Sequence, residues 1–116
     1  FYNGTFNFNL IDPAIVNLTS DQTANRTITL RGNGSTTLNS VMATDQSMTC
    51  TVIAKQGSTA YYFNAYQVDG STVTPKWSGG TAPSGGNTSS LDVYTFTIIK
   101  TADATFTVLA SQTQYA

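Results

Sequence analysis

The chain has 116 residues, with five Lys or Arg, six Asp, no Glu and no His, for a formal net charge of −1. That length suits one domain with a single thin core, and the charge offers no basic footprint for nucleic acid and no polybasic membrane patch. Without His, and with Cys50 as the lone cysteine, His-dependent catalytic triads, His-based or Cys-rich zinc sites, iron–sulfur centres and an intrachain disulfide are excluded.

Only 9% of residues are charged, against about 25% in an average domain. Uncharged polar residues replace them, and Thr alone occurs 21 times. Thr is β-branched and stiff at χ1, so this composition favours extended backbone over helix. Apolar residues recur at period two, as in half-buried strands with one face to a core and one to water. In chain order, strands are expected near 5–11, 26–31, 36–42, 47–55, 59–68, 91–100 and 104–111, with a short one near 14–18. Phe6, Phe8 and Leu10 mark the first inward face, and Ile28 and Leu30 the next. Met48, Cys50, Val52 and Ala54 mark another, and Tyr94, Phe96, Ile98, Phe106, Val108 and Ala110 the last pair.

Turn signals separate these runs at Asp12-Pro13, Gly32-Asn33-Gly34, Gln56-Gly57-Ser58, Asp69-Gly70 and Thr101-Ala102-Asp103. Strand spacing of about ten residues predicts a single antiparallel β-sandwich, jelly-roll-like, of about seven to eight strands, over residues 1–116. Residues 1–24 are expected either to join that sandwich as a strand pair or to connect to an upstream shaft or subunit. Phe1-Tyr2-Asn3-Gly4 is not a signal peptide. A first residue other than Met is consistent with processing or with a start inside a longer chain. No apolar run approaches the roughly 20 residues of a membrane-spanning helix.

Residues 75–90 form a long Gly- and Ser-rich loop that starts near Trp77, the single tryptophan. Loops of this length in small domains are often functional. An exposed Trp77 would stack on a sugar ring; a buried one would plug the end of the sandwich and anchor the loop, which is the favoured reading. On a regular strand, Tyr62, Asn64 and Tyr66 fall on one face and Tyr61, Phe63 and Ala65 on the other. The first set is a candidate amphipathic stripe for carbohydrate. The competing and favoured reading is packing, since large aromatics bury. Cys50, inside an alternating run, reads as a packing residue.

The Asp residues stand singly, mostly beside turn residues, so a turn role outweighs a carboxylate-pair glycosidase. No EF-hand spacing is present, and neither Gly79-Gly80 nor Gly85-Gly86 continues into a phosphate loop. The expectation is a chain without enzymatic activity, cofactor or metal.

The stretch Lys76-Trp77-Ser78-Gly79-Gly80-Thr81-Ala82-Pro83, then Gly85-Gly86-Asn87, then Leu91-Asp92-Val93-Tyr94-Thr95-Phe96 resembles a recurrent pattern of phage proteins. It is similar to the stretch near the C-termini of tail-fibre and virion-surface proteins, including those of marine cyanobacterial phages. Gly34-Ser35-Thr36-Thr37-Leu38, Gly57-Ser58-Thr59-Ala60-Tyr61 and the ending from Phe106 to Thr113 fit the same module. The resemblance thus covers the chain from about residue 25. One departure is Thr101-Ala102-Asp103, where many relatives carry a Gly-Gly-rich turn.

The resemblance implies a small, often trimeric β-sandwich at a fibre tip or spike, or decorating a capsid. Its surroundings would be the virion exterior and its partners further copies of itself, other virion proteins and host surface polysaccharide. The family supplies no shared catalytic residues. The alternative reading is a bacterial carbohydrate-binding or adhesin module, motivated by the Tyr62-Asn64-Tyr66 stripe.

Overall fold

Period-two patterning becomes two stacked sheets. A computed structural model describes residues 5–11 and 15–116 of the chain, so the expected Asp12-Pro13 turn lies outside the described residues. These contain β1 (Thr5–Asn9), β2 (Ile15–Leu18), β3 (Arg26–Arg31), a short helix α1 (Leu38–Val41), β4 (Ser47–Lys55) and β5 (Phe63–Val68). There follow β6 (Ser71–Thr72), β7 (Lys76–Trp77), β8 (Leu91–Ala102) and β9 (Thr105–Tyr115). One sheet has the order β1-β3-β5-β6 and the other β2-β4-β8-β9-β7. The all-β sandwich agrees with the alternation in the sequence.

The pairing is mixed where antiparallel, jelly-roll-like order was expected. β1–β3, β3–β5, β2–β4 and β7–β9 run parallel; β4–β8, β5–β6 and β8–β9 run antiparallel. The path explains this. From β1 to β5 the chain changes sheet after every strand, so each strand re-enters its own sheet in the original direction, parallel to its predecessor. Only β5–β6 and β8–β9 are tight hairpins, and there adjacent strands must reverse. β1 and β2 are members of the two sheets, so the described part of residues 1–24 belongs to the sandwich.

The core lies where the inward faces meet. Phe8, Ile28 and Leu30 from one sheet face Cys50, Val52, Tyr94, Phe96 and Ile98 from the other, all essentially inaccessible to solvent. Burying each large side chain of this kind contributes about 1.5–3 kcal/mol. Phe63 meets Tyr94 edge-to-face with ring centroids 4.9 Å apart, a geometry that suits the ring quadrupoles.

One expected strand is a helix. Residues 36–42 contain α1, with Leu38 and Met42 both buried four residues apart on its inner side. Thr37 caps it: the Ser40 N–H donates to Thr37 Oγ1 (3.1 Å). The Asp69 carboxylate accepts from the N–H groups of Leu38 (2.7 Å) and Asn39 (3.0 Å). At the other end Lys100, itself buried, donates through Nζ to the carbonyls of Asn39 (2.8 Å) and Met42 (2.9 Å). An acidic group at the N-terminal end and a basic one at the C-terminal end satisfy orphan backbone groups. Asp69, in the turn after β5, and Lys100, on β8, are distant in sequence, so local Thr content did not decide the outcome.

The remaining boundaries shift modestly. The run expected over 59–68 becomes regular strand only at Phe63, and the final hairpin extends to Ala102 and Tyr115. The Asp69-Gly70 turn has both residues at positive φ (52° and 85°), as a two-residue hairpin matched to strand twist requires. The last hairpin turns at Asp103-Ala104. Ala104 sits at φ 50°, and Asn39 braces the turn by accepting from the Ala104 N–H (2.7 Å) and donating to Asp103 (3.0 Å).

Candidate functional site

The aromatic stripe expected on β5 does not form, and a bulge is the reason. Arg26 pairs with Phe63, but the next residue, Thr27, pairs with Ala65, leaving Asn64 as an extra residue. An inserted residue reverses the alternation beyond it. Phe63, Tyr66 and Val68 therefore share the inward face. Tyr66 packs edge-to-face on Trp77, ring centroids 5.3 Å apart, and lies 6.2 Å from the Phe96 ring. Its hydroxyl donates to the Phe63 carbonyl across the bulge. Burial raises the Tyr66 phenol well above its ordinary range, with Tyr94 and Tyr62 adding to the shift. Asn64 points to solvent, and Tyr62 precedes the strand, partly packed on the core. Of the four residues singled out in the sequence, Tyr66 and Trp77 are brought together as one packed pair, while Asn64 stands apart from them.

Trp77 is half-buried against the core and opens the long loop. Gly79 and Gly80 follow it at φ 78° and 83°, a conformation glycine adopts without a Cβ penalty. The far end of the loop is fastened by Asp92, which the sequence places inside the strand run over 91–100. Its carboxylate is wholly buried. It accepts from the Asn87 N–H (2.9 Å), Asn87 Nδ2 (2.9 Å), Ser90 Oγ (3.0 Å) and Gln56 Nε2 (3.3 Å). A buried carboxylate is costly unless its lone pairs are filled, and here loop and strand donors fill them.

Gln56 extends the lock. Its amide donates to the Tyr61 carbonyl (2.5 Å) and accepts from the Tyr61 N–H (3.0 Å), standing in for a neighbouring strand. Gln112 Nε2 donates to the Gly85 carbonyl (3.1 Å) and to the Tyr94 hydroxyl (2.8 Å). The available signal was the inward position of Asp92 in the β8 alternation, a charged residue where apolar ones were due.

Two surfaces remain. The first is the outer face of the five-stranded sheet. In register across it lie Ile15, Thr51, Thr95 and Ser111, then Asn17, Ile53, Val93 and Thr113, then Thr49, Thr97 and Leu109. Lys55 and Lys76 are the charged residues there, near its margins, and Lys55 is paired with Asp21. Ile15 (62%), Tyr115 (60%), Leu91 (43%) and Leu109 (42%) are large apolar side chains left exposed on it.

The second surface is the outer face of the four-stranded sheet. There Asn7, Thr29, Arg31 and Gln67 line an open groove of about 470 Å³, walled by loop residues 33–37 and the Asp69-Gly70 turn.

The other described Asp residues occupy turns or the surface: Asp45 and Asp69 have positive φ, Asp103 is in the last hairpin turn, and Asp21 pairs with Lys55. Among the described residues, no three His, Cys, Asp or Glu side chains gather where they would hold a metal ion. Cys50 is buried, and burial pushes its thiol up to about 12. Among the described residues no helix is long and apolar enough to cross a membrane. No family model, curated protein or solved structure matches the chain.

Proposed function

We propose that this chain is a non-enzymatic structural module of a virion surface, at a fibre tip or spike or decorating a capsid, built into a symmetric homo-oligomer. The observation that carries the reading is the outer face of the five-stranded sheet. It is nearly charge-free, presents Thr hydroxyls and exposed Ile, Leu and Tyr side chains in regular rows, and belongs to a chain that is 9% charged. The three long strands β4, β8 and β9, of 9, 12 and 11 residues, make a face of about 30 Å by 15 Å, widened at its edges by the short β2 and β7. That is on the order of 450 Å², somewhat over half of the roughly 800 Å² per partner of a stable interface. A face without charged groups in its centre packs against neighbouring copies around a symmetry axis without like-charge repulsion. A trimer is the favoured assembly.

The phage-like stretch over residues 76–96 supports the same reading. Its distinctive residues have structural work: Trp77 packs on Tyr66, Gly79 and Gly80 take positive φ, and Asp92 fastens Asn87. A motif whose residues hold a loop closed suits a scaffold that must persist outside cells.

A bacterial carbohydrate-binding or adhesin module is the second reading, favoured by the polar groove over β1, β3 and β5. Gold-tagged antibody against the chain, imaged on intact virions of the source by electron microscopy, separates the two. Gold at appendage tips marks a fibre-tip or spike protein, and gold over the head a decoration protein. Unlabelled particles would remove the virion role and leave the adhesin.

A further inference from the structure

We infer that the groove on the outer face of the four-stranded sheet is a saccharide-binding site. The inference deepens the surface role proposed above and rests on it in requiring that this face look outward and that the proposed oligomer carry several copies of the site.

The groove crosses three strands in register. Asn7 on β1 lies beside Thr29 on β3, which lies beside Gln67 on β5. Thr29 Oγ1 donates to Gln67 Oε1 (2.8 Å), which fixes the Gln67 amide and leaves its Nε2 hydrogens for a ligand. Arg31 Nε donates to Asn9 Oδ1 (2.7 Å), which orients the guanidinium and leaves its terminal nitrogens for the groove. Among the described residues Arg31 makes no ion pair, and the Asn7 amide makes no hydrogen bond. Asp69 contributes acceptor lone pairs beyond the two already used by α1.

Planar amide, guanidinium and carboxylate groups present paired donors and acceptors, the complement of adjacent hydroxyls on a sugar ring. With Arg31 and Asp69 both lining it, the groove has no large net charge, which fits a polyhydroxylated ligand better than a polyanion.

The wall is held by its own hydrogen bonds. Asn33 Oδ1 accepts from the Ser35 N–H (2.9 Å), and the Asn33 N–H donates to the Thr36 carbonyl (2.9 Å). Gly32 permits this, because a Cβ there would lie 2.5 Å from the Thr36 carbonyl oxygen. A preformed wall reduces the ordering cost of binding. The lining contains no aromatic ring for stacking, so a single site is weak, and several sites on one oligomer supply avidity of about 10²–10⁴.

The test is an array of bacterial surface polysaccharides and capsular oligosaccharides probed with the intact protein, with oligomeric mass measured on the same sample. Wild type is expected to bind a subset of saccharides. Asn7→Ala and Arg31→Gln should each weaken that binding about tenfold while leaving mass and circular dichroism unchanged. A second readout is the side-chain amide resonances of Asn7 and Gln67, which should shift on titration with the best-bound oligosaccharide. Binding to no saccharide, or binding indifferent to both substitutions and lost in Trp77→Ala, would overturn the site. Failure here together with labelled virions leaves the structural role standing; array binding together with unlabelled virions removes the virion role and leaves the site.

Discussion

Phe63 and Tyr66 lie on the same face of β5 although they are three positions apart, and the Tyr66 hydroxyl donates to the Phe63 carbonyl. The extra residue, Asn64, makes this possible, and it decides what the aromatic run can do. Deleting Asn64 restores simple alternation and drives either Phe63 or Tyr66 out of the core. The deletion should lower stability by about 3 kcal/mol or more, the range for losing a large buried aromatic, as read by urea denaturation. A stable deletion variant would mean that the bulge does not set the face.

Asp92 makes a sharper prediction. Asp92→Ala leaves the Asn87, Ser90 and Gln56 donors without their acceptor inside the protein. Unsatisfied buried donors cost about 1–3 kcal/mol each, partly relieved by relaxation, so a loss of about 3 kcal/mol is expected. Hydrogen exchange should speed up first at the Asn87 and Tyr61 amides. Unchanged exchange there would detach Asp92 from the loop.

Two adjacent glycines should differ. A Cβ on Gly86 would lie 2.2 Å from the Tyr61 carbonyl oxygen, whereas one on Gly85 meets nothing within 4 Å. Gly86→Ala should lower the melting temperature by several degrees, as expected for a loss of at least about 1 kcal/mol in a domain of this size. Gly85→Ala should be within about 0.5 kcal/mol of wild type. Equal effects from calorimetry would contradict the close approach of loop and Tyr61.

The sequence revealed the core face more fully than the surface. Phe8, Ile28, Leu30, Cys50, Val52, Phe96 and Ile98 were legible because alternation is a local property, and burial follows it. The direction of strand pairing was not legible, because it depends on which sheet the chain enters after each strand. α1 was hidden by its neighbours: Asp69 and Lys100, 31 and 61 residues from the positions they serve, favour helix in a Thr-rich stretch that alone reads as strand. The Tyr62-Asn64-Tyr66 stripe failed because one inserted residue inverts everything after it. Trp77, with a sugar-stacking and a loop-anchoring reading open in the sequence, packs on Tyr66, while Asp92, which holds the other end, gave only the weak sign of a charge in an apolar row.

Alkaline pH should weaken the fold. Burial raises the Cys50 thiol from 9.0 to about 12. It also raises the Tyr94 phenol from 10.0 to about 12, against the lowering effect of Gln112 and the Phe63 backbone. Tyr66 is raised further. In the unfolded chain these groups release protons earlier, so between about pH 9 and 12 the unfolded state binds fewer protons and stability falls as pH rises. Below about pH 9 the contribution is fully present. Urea midpoints measured from pH 7 to 11 should hold steady and then drop, and Cys50 should resist thiol reagents at pH 8 until the protein unfolds. A midpoint that rises above pH 9 would contradict the burial of these groups.

Self-association through the outer face of the five-stranded sheet is tested most directly by light scattering coupled to size exclusion. Wild type at micromolar concentration should elute as a closed oligomer, with three copies expected. Leu109→Asp, at an exposed position of that face on β9 beside Lys76, should give a folded monomer with unchanged circular dichroism. A wild type that is monomeric at every concentration, or an oligomer untouched by Leu109→Asp, would contradict the claim.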